Sequence, residues 1–164
     1  MNGIEYLNQN NIKWFPVFME IIDGEKKLQS YPDGSYPKYN VDFDNEQLIK
    51  HRQNTYKSDV IWMDTKDIAH FDIDSTDAHE LTKFLMDTHP YFLSVRKGLP
   101  HYFTHLKNKV DHKQRIGIPN QDDMEVLNGQ VSYASFDFQV FNADKELKEM
   151  NIPLPQQTAK NDKK

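Results

Sequence analysis

Two aspartates lie two positions apart in the strand-like segment IAHFDIDST, residues 68–76. Alternate residues of a strand point to the same face, so Asp72 and Asp74 would project side by side, while Phe71 and Ile73 would point into a core. Two adjacent carboxylates repel each other, and a hard divalent cation such as Mg²⁺ or Mn²⁺ relieves that repulsion. The spacing therefore indicates a metal site; capping, salt bridging and exposure at a strand end are the alternatives.

A third carboxylate for such a site occurs in the segment DDMEVLNGQVSY. If MEVL is a strand, Glu125 shares a face with Asp123, and an acid there could complete a cage for two cations. Such a cage holds the cations roughly 3.5–4 Å apart; one lowers the pKa of an attacking hydroxyl and the other neutralises the leaving oxygen of a phosphoryl displacement. Taken alone, Glu125 fits an exposed strand face better, and only the joint order of the motifs favours the metal site.

Candidate donors for the outer phosphates of a triphosphate lie in the segment SVRKGLPHYF. Arg96, Lys97 and His101 are suited in type, and the neighbouring Gly98 lets the backbone approach a ligand. A histidine followed by two aromatic residues is also typical of a buried aromatic cluster. The basic stretch 96–115 likewise fits a solvated polar hairpin.

Length and composition exclude several classes of protein. The 164 residues suffice for one globular unit, and we expect a folded domain at 1–152 and a disordered polar tail or linker at 153–164. The net charge of −5 argues against unspecific binding of nucleic acid over the whole surface. The absence of cysteine excludes disulfides, cysteine-ligated metal centres and thiol nucleophiles. No apolar run reaches the roughly 18 residues that span a bilayer, and no secretory signal is recognisable, so we expect an intracellular protein without membrane contact.

Helices are predicted mainly in the first half of the chain and hairpins in the second, which favours an α+β fold with a mixed or antiparallel sheet and flanking helices. Asp44 is the predicted N-cap of the second helix, and Asn128-Gly129 is the predicted hairpin turn between the last two strands. The predicted helices are 3–12, 45–53, 77–89 and 143–150, and the predicted strands are 14–23, 59–63, 69–74, 91–95, 101–106, 114–118, 123–127 and 130–141.

The order of these motifs resembles that of the archaeo-eukaryotic primase superfamily. Asp-hydrophobic-Asp at the end of a strand, a helix, PYFLSVRKGLPHYF and MEVLNGQVSY follow one another over residues 58–135. The likeness is greatest to the primase-polymerase domains of giant DNA viruses and to poxvirus-type primase-helicases. The resemblance implies an RRM-like sheet that carries the acidic residues, with Mg²⁺ or Mn²⁺ bound by Asp72, Asp74 and Glu125. It also implies contact of His101 with the phosphates of the incoming nucleotide. Glu125 is preferred to Asp123 because EVLNGQ fits the family pattern better.

The same resemblance implies further contacts and partners. A lysine near the nucleotide or template in such domains corresponds to Lys38. Relatives have a small polar residue two positions before the histidine; Leu99 stands there, so that contact would come from Ser94 or from the backbone. The implied activity is template-directed nucleotidyl transfer in DNA replication, with a single-stranded DNA template and nucleoside triphosphates as partners. A helicase domain or subunit outside this chain is also implied, since these residues contain no phosphate-binding motor loop. A viral protein of this kind would act in the host cytoplasm or a replication compartment.

Three other functions remain as alternatives. A catalytically inactive module could bind nucleic acid or nucleotide with the same fold. A metal-dependent nuclease would use the same carboxylates. Such nucleases usually have a lysine two positions after the glutamate, but here that position is Leu127. A histidine-pair replication nuclease needs two histidines two positions apart, whereas His101 and His105 are four apart.

Overall fold

Ten strands and four helices form the regular structure of the residues that the computed structural model describes, which are 1–73, 80–94, 98–107, 109, 114–116, 124–147 and 149–150. The α+β class expected from the sequence is confirmed. In chain order the elements are α1 Gly3–Gln9, β1 Trp14–Ile22, β2 Glu25–Gln29, α2 Tyr39–Asp42, α3 Glu46–Thr55, β3 Val60–Met63, β4 Ala69–Ile73, α4 Glu80–Thr88, β5 Tyr91–Leu93, β6 Pro100–Leu106, β7 Gln114–Ile116, β8 Met124–Leu127, β9 Ser132–Ser135 and β10 Glu149–Met150.

These strands form two sheets. The four-stranded sheet has the order β2-β1-β3-β9, and all its pairs are antiparallel. The six-stranded sheet has the order β10-β6-β4-β8-β7, and β5 also pairs with β6. Its pairs are antiparallel except for the short parallel pairing of β10 with β6.

The two sheets pack face to face. Ile61 of the four-stranded sheet shares one core cluster with Phe92 and Phe103 of the six-stranded sheet. On the other face of the four-stranded sheet, α3 contributes Ile49 to a second cluster. On the other face of the six-stranded sheet, α4 contributes Leu85 to a third. We call the face of the six-stranded sheet that looks toward the four-stranded sheet its inner face.

The chain passes from one sheet to the other at two neighbouring connections, β3–β4 and β8–β9. The pairing of β4 with β8 and of β3 with β9 forms one antiparallel ribbon that runs through both sheets. Between the pairs Met63–Ser132 and His70–Leu127 lie six residues, 64–69, on one strand and four, 128–131, on the other. The ribbon bends where its pairing is interrupted by different numbers of residues on the two strands, as strands do at bulges.

The hairpin predicted at Asn128-Gly129 is wrong, because β8 and β9 belong to different sheets. Gly129 has the positive φ that such a turn requires, 74°. However, the buried Asn128 side chain donates its Nδ2 to the carbonyl of Thr65 at 2.7 Å. Thr65 in turn donates its Oγ1 to the carbonyl of Gln130 at 2.7 Å. These bonds tie the turn to the β3–β4 connection and direct the chain into the second sheet.

The predicted N-cap of α3 is wrong by one residue. Asn45 caps the helix, since its Oδ1 accepts a hydrogen bond from the amide of Leu48 at 3.1 Å. Asp44 instead forms an exposed ion pair with Lys66 at 3.0 Å.

The helix predicted over 143–150 is also wrong. The chain turns at Asn142, whose φ is +57° and whose Nδ2 donates to the carbonyl of Met86 at 2.7 Å. Leu147 then packs against the cluster between the sheets, and β10 pairs with β6. Leu147 and Met150, three positions apart, are therefore partly buried against two different clusters, because tertiary contacts override the local preference.

Candidate functional site

Three residues from separate motifs lie in one row on the inner face of the six-stranded sheet. In the strand register, Asp72 of β4 pairs with His101 of β6 on one side and with Glu125 of β8 on the other. Directly paired residues share a face, so these three positions are immediate neighbours. The row continues to Phe92 of β5 beyond His101, and the backbone of Arg115 in β7 pairs with Glu125 at the other end. Long-range strand pairing therefore assembles the two described acids and the histidine that the sequence indicated.

The row has low solvent exposure and a defined contact at its centre. His101 is 8% exposed, Glu125 is 9% exposed, and the side chain of Asp72 is 20% exposed. The imidazole Nε2 of His101 lies 3.3 Å from Oδ1 of Asp72. One face of the imidazole stacks on the Phe92 ring, with centroids 4.8 Å apart and planes inclined by 23°. The histidine thus meets a carboxylate with its edge and an aromatic ring with its face.

A second histidine lies behind the row. His70 precedes Asp72 by two positions, shares its strand face and is fully buried. Its Nδ1 lies 2.6 Å from Oγ of Ser132 in the four-stranded sheet. Burial, and secondarily the nearby His101, lowers the pKa of His70 to about 3, so this ring is neutral near pH 7. Sequence reasoning missed both residues. Alternation from Asp72 could have identified His70, but only the contact between the sheets identifies Ser132.

The remaining predicted site residues lie in different places. Ser94 closes the connection between β5 and β6, because its Oγ accepts a hydrogen bond from the amide of Leu99 at 3.1 Å. Lys38 is exposed at the start of α2, whose Tyr39 packs on the face of the four-stranded sheet that looks away from the row. The structure therefore does not bring Lys38 to the row. Four predicted residues lie outside the described part of the chain: Asp74, Arg96, Lys97 and Asp123.

The acids of the row suit a divalent cation in type. Carboxylate oxygens are preferred ligands of Mg²⁺ and Mn²⁺, and Asp72 and Glu125 offer them from directly paired positions. Among the described residues, no group of three His, Cys, Asp or Glu side chains has the spacing of a metal site. Asp74, which the sequence assigns to the same site, lies outside those residues.

Comparison with known proteins adds no family to these observations. No protein-family model matches the chain, and a search of curated proteins found no match. Within the described ranges, no helix is long and apolar enough to cross a membrane.

The register pairs Glu125 with Asp72, whereas Asp123 lies outside the described residues, and metal binding can test which of the two is the third carboxylate. Glu125→Gln keeps the size of the side chain but removes a charged oxygen ligand, so we expect Mn²⁺ affinity to fall at least roughly tenfold. Isothermal titration calorimetry measures this change. Asp123→Asn is the matched variant, and we expect it to bind Mn²⁺ like the wild type. The reverse result would transfer the role to Asp123.

Proposed function

We propose that this chain is a metal-dependent, template-directed nucleotidyltransferase, the primase-polymerase domain of a DNA replication protein. In the proposed reaction, a primer 3′ hydroxyl attacks the α-phosphate of a nucleoside triphosphate, and pyrophosphate leaves. The observation that supports this function best is the register row. Asp72, His101 and Glu125 come from the three motifs on which the resemblance depends, and they occupy paired positions on adjacent strands.

Each residue of the row has a role in this proposal. Asp72 and Glu125, with Asp74, would hold two divalent cations. When bound, these cations supply a lowered pKa at the attacking hydroxyl and neutralisation of the phosphates. His101 binds the outer phosphates through its imidazole edge. Paired strands keep the three side chains in fixed relative positions, and such preorganisation accounts for much of the catalysis in phosphoryl transfer.

The neutral His70 supports the same arrangement. A positive charge directly behind the row would compete with cations for Asp72. Burial keeps His70 uncharged, and its bond to Ser132 fixes the strand against the second sheet. A neutral His70 therefore adds no positive charge beside Asp72 on this side of the row.

Primer extension by the wild-type protein tests the proposal. A labelled primer is annealed to single-stranded templates that differ only in the next base, and deoxynucleotides or ribonucleotides are added with Mg²⁺ or Mn²⁺. We expect the incorporated nucleotide to follow the template base and the product to disappear when the metal is chelated. Template binding without extension would instead support a catalytically inactive binding module. Metal-dependent shortening of the template would support a nuclease.

A further inference from the structure

We infer that Phe92 is a positioning residue, which holds the His101 imidazole in the orientation needed to bind the outer phosphates of the nucleotide. This inference rests on the proposed function. The sequence motifs include PYFLSV but assign no role to this phenylalanine. Its role follows from the register and from ring geometry.

The Phe92 ring stacks on the face of the His101 imidazole. The two residues are directly paired between β5 and β6, and their rings stack with centroids 4.8 Å apart and an inclination of 23°. Stacking at this separation is favourable for aromatic pairs. The outer torsion of a histidine side chain has broad minima, so the strand backbone alone does not fix the plane of the ring. Contact with a flat neighbour does fix it.

The Phe92 ring itself cannot shift easily. Phe92 is fully buried, and three further rings surround it. Its ring centroid lies 5.2 Å from that of Phe138, 5.5 Å from that of Phe103 and 5.8 Å from that of His70. Densely packed interiors leave little room for a large ring to move. The plane of His101 is therefore set by the core between the sheets.

The fixed plane determines where the imidazole edge points. Nε2 of His101 lies 3.3 Å from Asp72 Oδ1, at the centre of the row. Rotation of the ring about its outer torsion would move this nitrogen away from the carboxylate and from a phosphate bound beside it. Misplacement of a binding group by about 1 Å costs up to 10²-fold in rate, so a modest rotation would be measurable.

Phe92→Leu tests the inference by removing the flat ring while keeping an apolar side chain. We expect the KM for the nucleotide to rise roughly tenfold and kcat to change less than about threefold, because the two acids of the row stay in place. Phe71→Leu is the matched control. Phe71 is equally buried and directly precedes Asp72, but it packs on the opposite face of the sheet. Its kinetic constants should stay close to those of the wild type when both variants are assayed below their melting transitions.

The ring signals of His101 provide a second readout that does not depend on activity. They can be followed by NMR in protein labelled with ¹⁵N-histidine and assigned with His101→Gln. Loss of the stacked ring in Phe92→Leu should shift the His101 signals and leave those of the distant His51 unchanged. Phe71→Leu should shift neither.

The outcomes separate this inference from the proposed function. With an active wild type, equal KM values in Phe92→Leu and Phe71→Leu would overturn the positioning role. A wild type that incorporates no nucleotide would overturn the proposed function. In that case, a shift of the His101 signals in Phe92→Leu alone would still support the stacking, and unchanged signals would refute it.

Discussion

Asp72→Asn is expected to reduce templated nucleotide incorporation by roughly 10³-fold, the largest effect of any single substitution in the row. Asp72 is the central member, and it pairs with both His101 and Glu125. Asparagine keeps the size of the side chain and removes its charge. A loss of about 4 kcal/mol of transition-state stabilisation corresponds to this factor and is within what a metal carboxylate contributes. The double variant Asp72→Ala/Asp74→Ala should abolish incorporation.

Single-turnover primer extension measures this loss, and a Mn²⁺ titration shows whether it follows the metal. The control is Asp44→Asn, because Asp44 is an exposed aspartate that pairs with Lys66 at 3.0 Å. The control should keep wild-type activity. Circular dichroism should show that both variants remain folded. Activity of Asp72→Asn within about tenfold of the wild type would refute the catalytic role of this carboxylate.

Arg52→Met is expected to lower the free energy of unfolding by about 3–5 kcal/mol. The guanidinium Nη1 of Arg52 lies 2.6 Å from Asp42 Oδ2, and the two side chains are only 5% and 9% exposed. The guanidinium also lies over the rings of Phe15 and Tyr31, at 4.8 and 4.5 Å. Methionine fills part of the space but leaves the Asp42 carboxylate buried without its cation. Urea denaturation monitored by tryptophan fluorescence measures the change.

Two further variants identify the cause of that loss. Arg52→Met/Asp42→Asn removes the uncompensated charge and keeps an acceptor for the amide of Lys38, which bonds to Asp42 at 2.8 Å. We expect the double variant to be more stable than Arg52→Met. Lys66→Met breaks only an exposed ion pair and should cost no more than about 1 kcal/mol. A small loss in Arg52→Met itself would show that the buried pair contributes little.

Three residues of the candidate row could be selected from the sequence, but their arrangement could not be predicted. Strand alternation is a local pattern, and it correctly placed Asp72 on a strand face opposite Phe71. Motif order then singled out His101 and Glu125. Nothing local shows that both residues pair with Asp72, because register between distant strands depends on the whole sheet. Phe92 was missed for the same reason, since its partner is set by register.

The errors arose where buried side chains override local preference. Asn128-Gly129 has the composition of a hairpin turn, yet the bonds of Asn128 to the β3–β4 connection send the chain to the other sheet. Strand β2 was not predicted either. Its first three residues, Glu25, Lys26 and Lys27, are charged and exposed, because β2 lies at the edge of the four-stranded sheet, and edge strands commonly carry charged side chains.

The ribbon that runs through both sheets makes assembly of the candidate site a long-range event in folding. Thr65 and Gln130, which bond where the ribbon bends, are 65 positions apart, and His70 and Ser132 are 62 positions apart. Loop-closure entropy for such separations is of order 4 kcal/mol, and pairings of this kind slow folding. The β1–β2 and β5–β6 hairpins can form from neighbouring residues, but the pairing of Asp72 with Glu125 cannot. A partly folded chain that contains only those hairpins therefore has His101 beside Phe92 but lacks the pairings of Asp72 with His101 and Glu125.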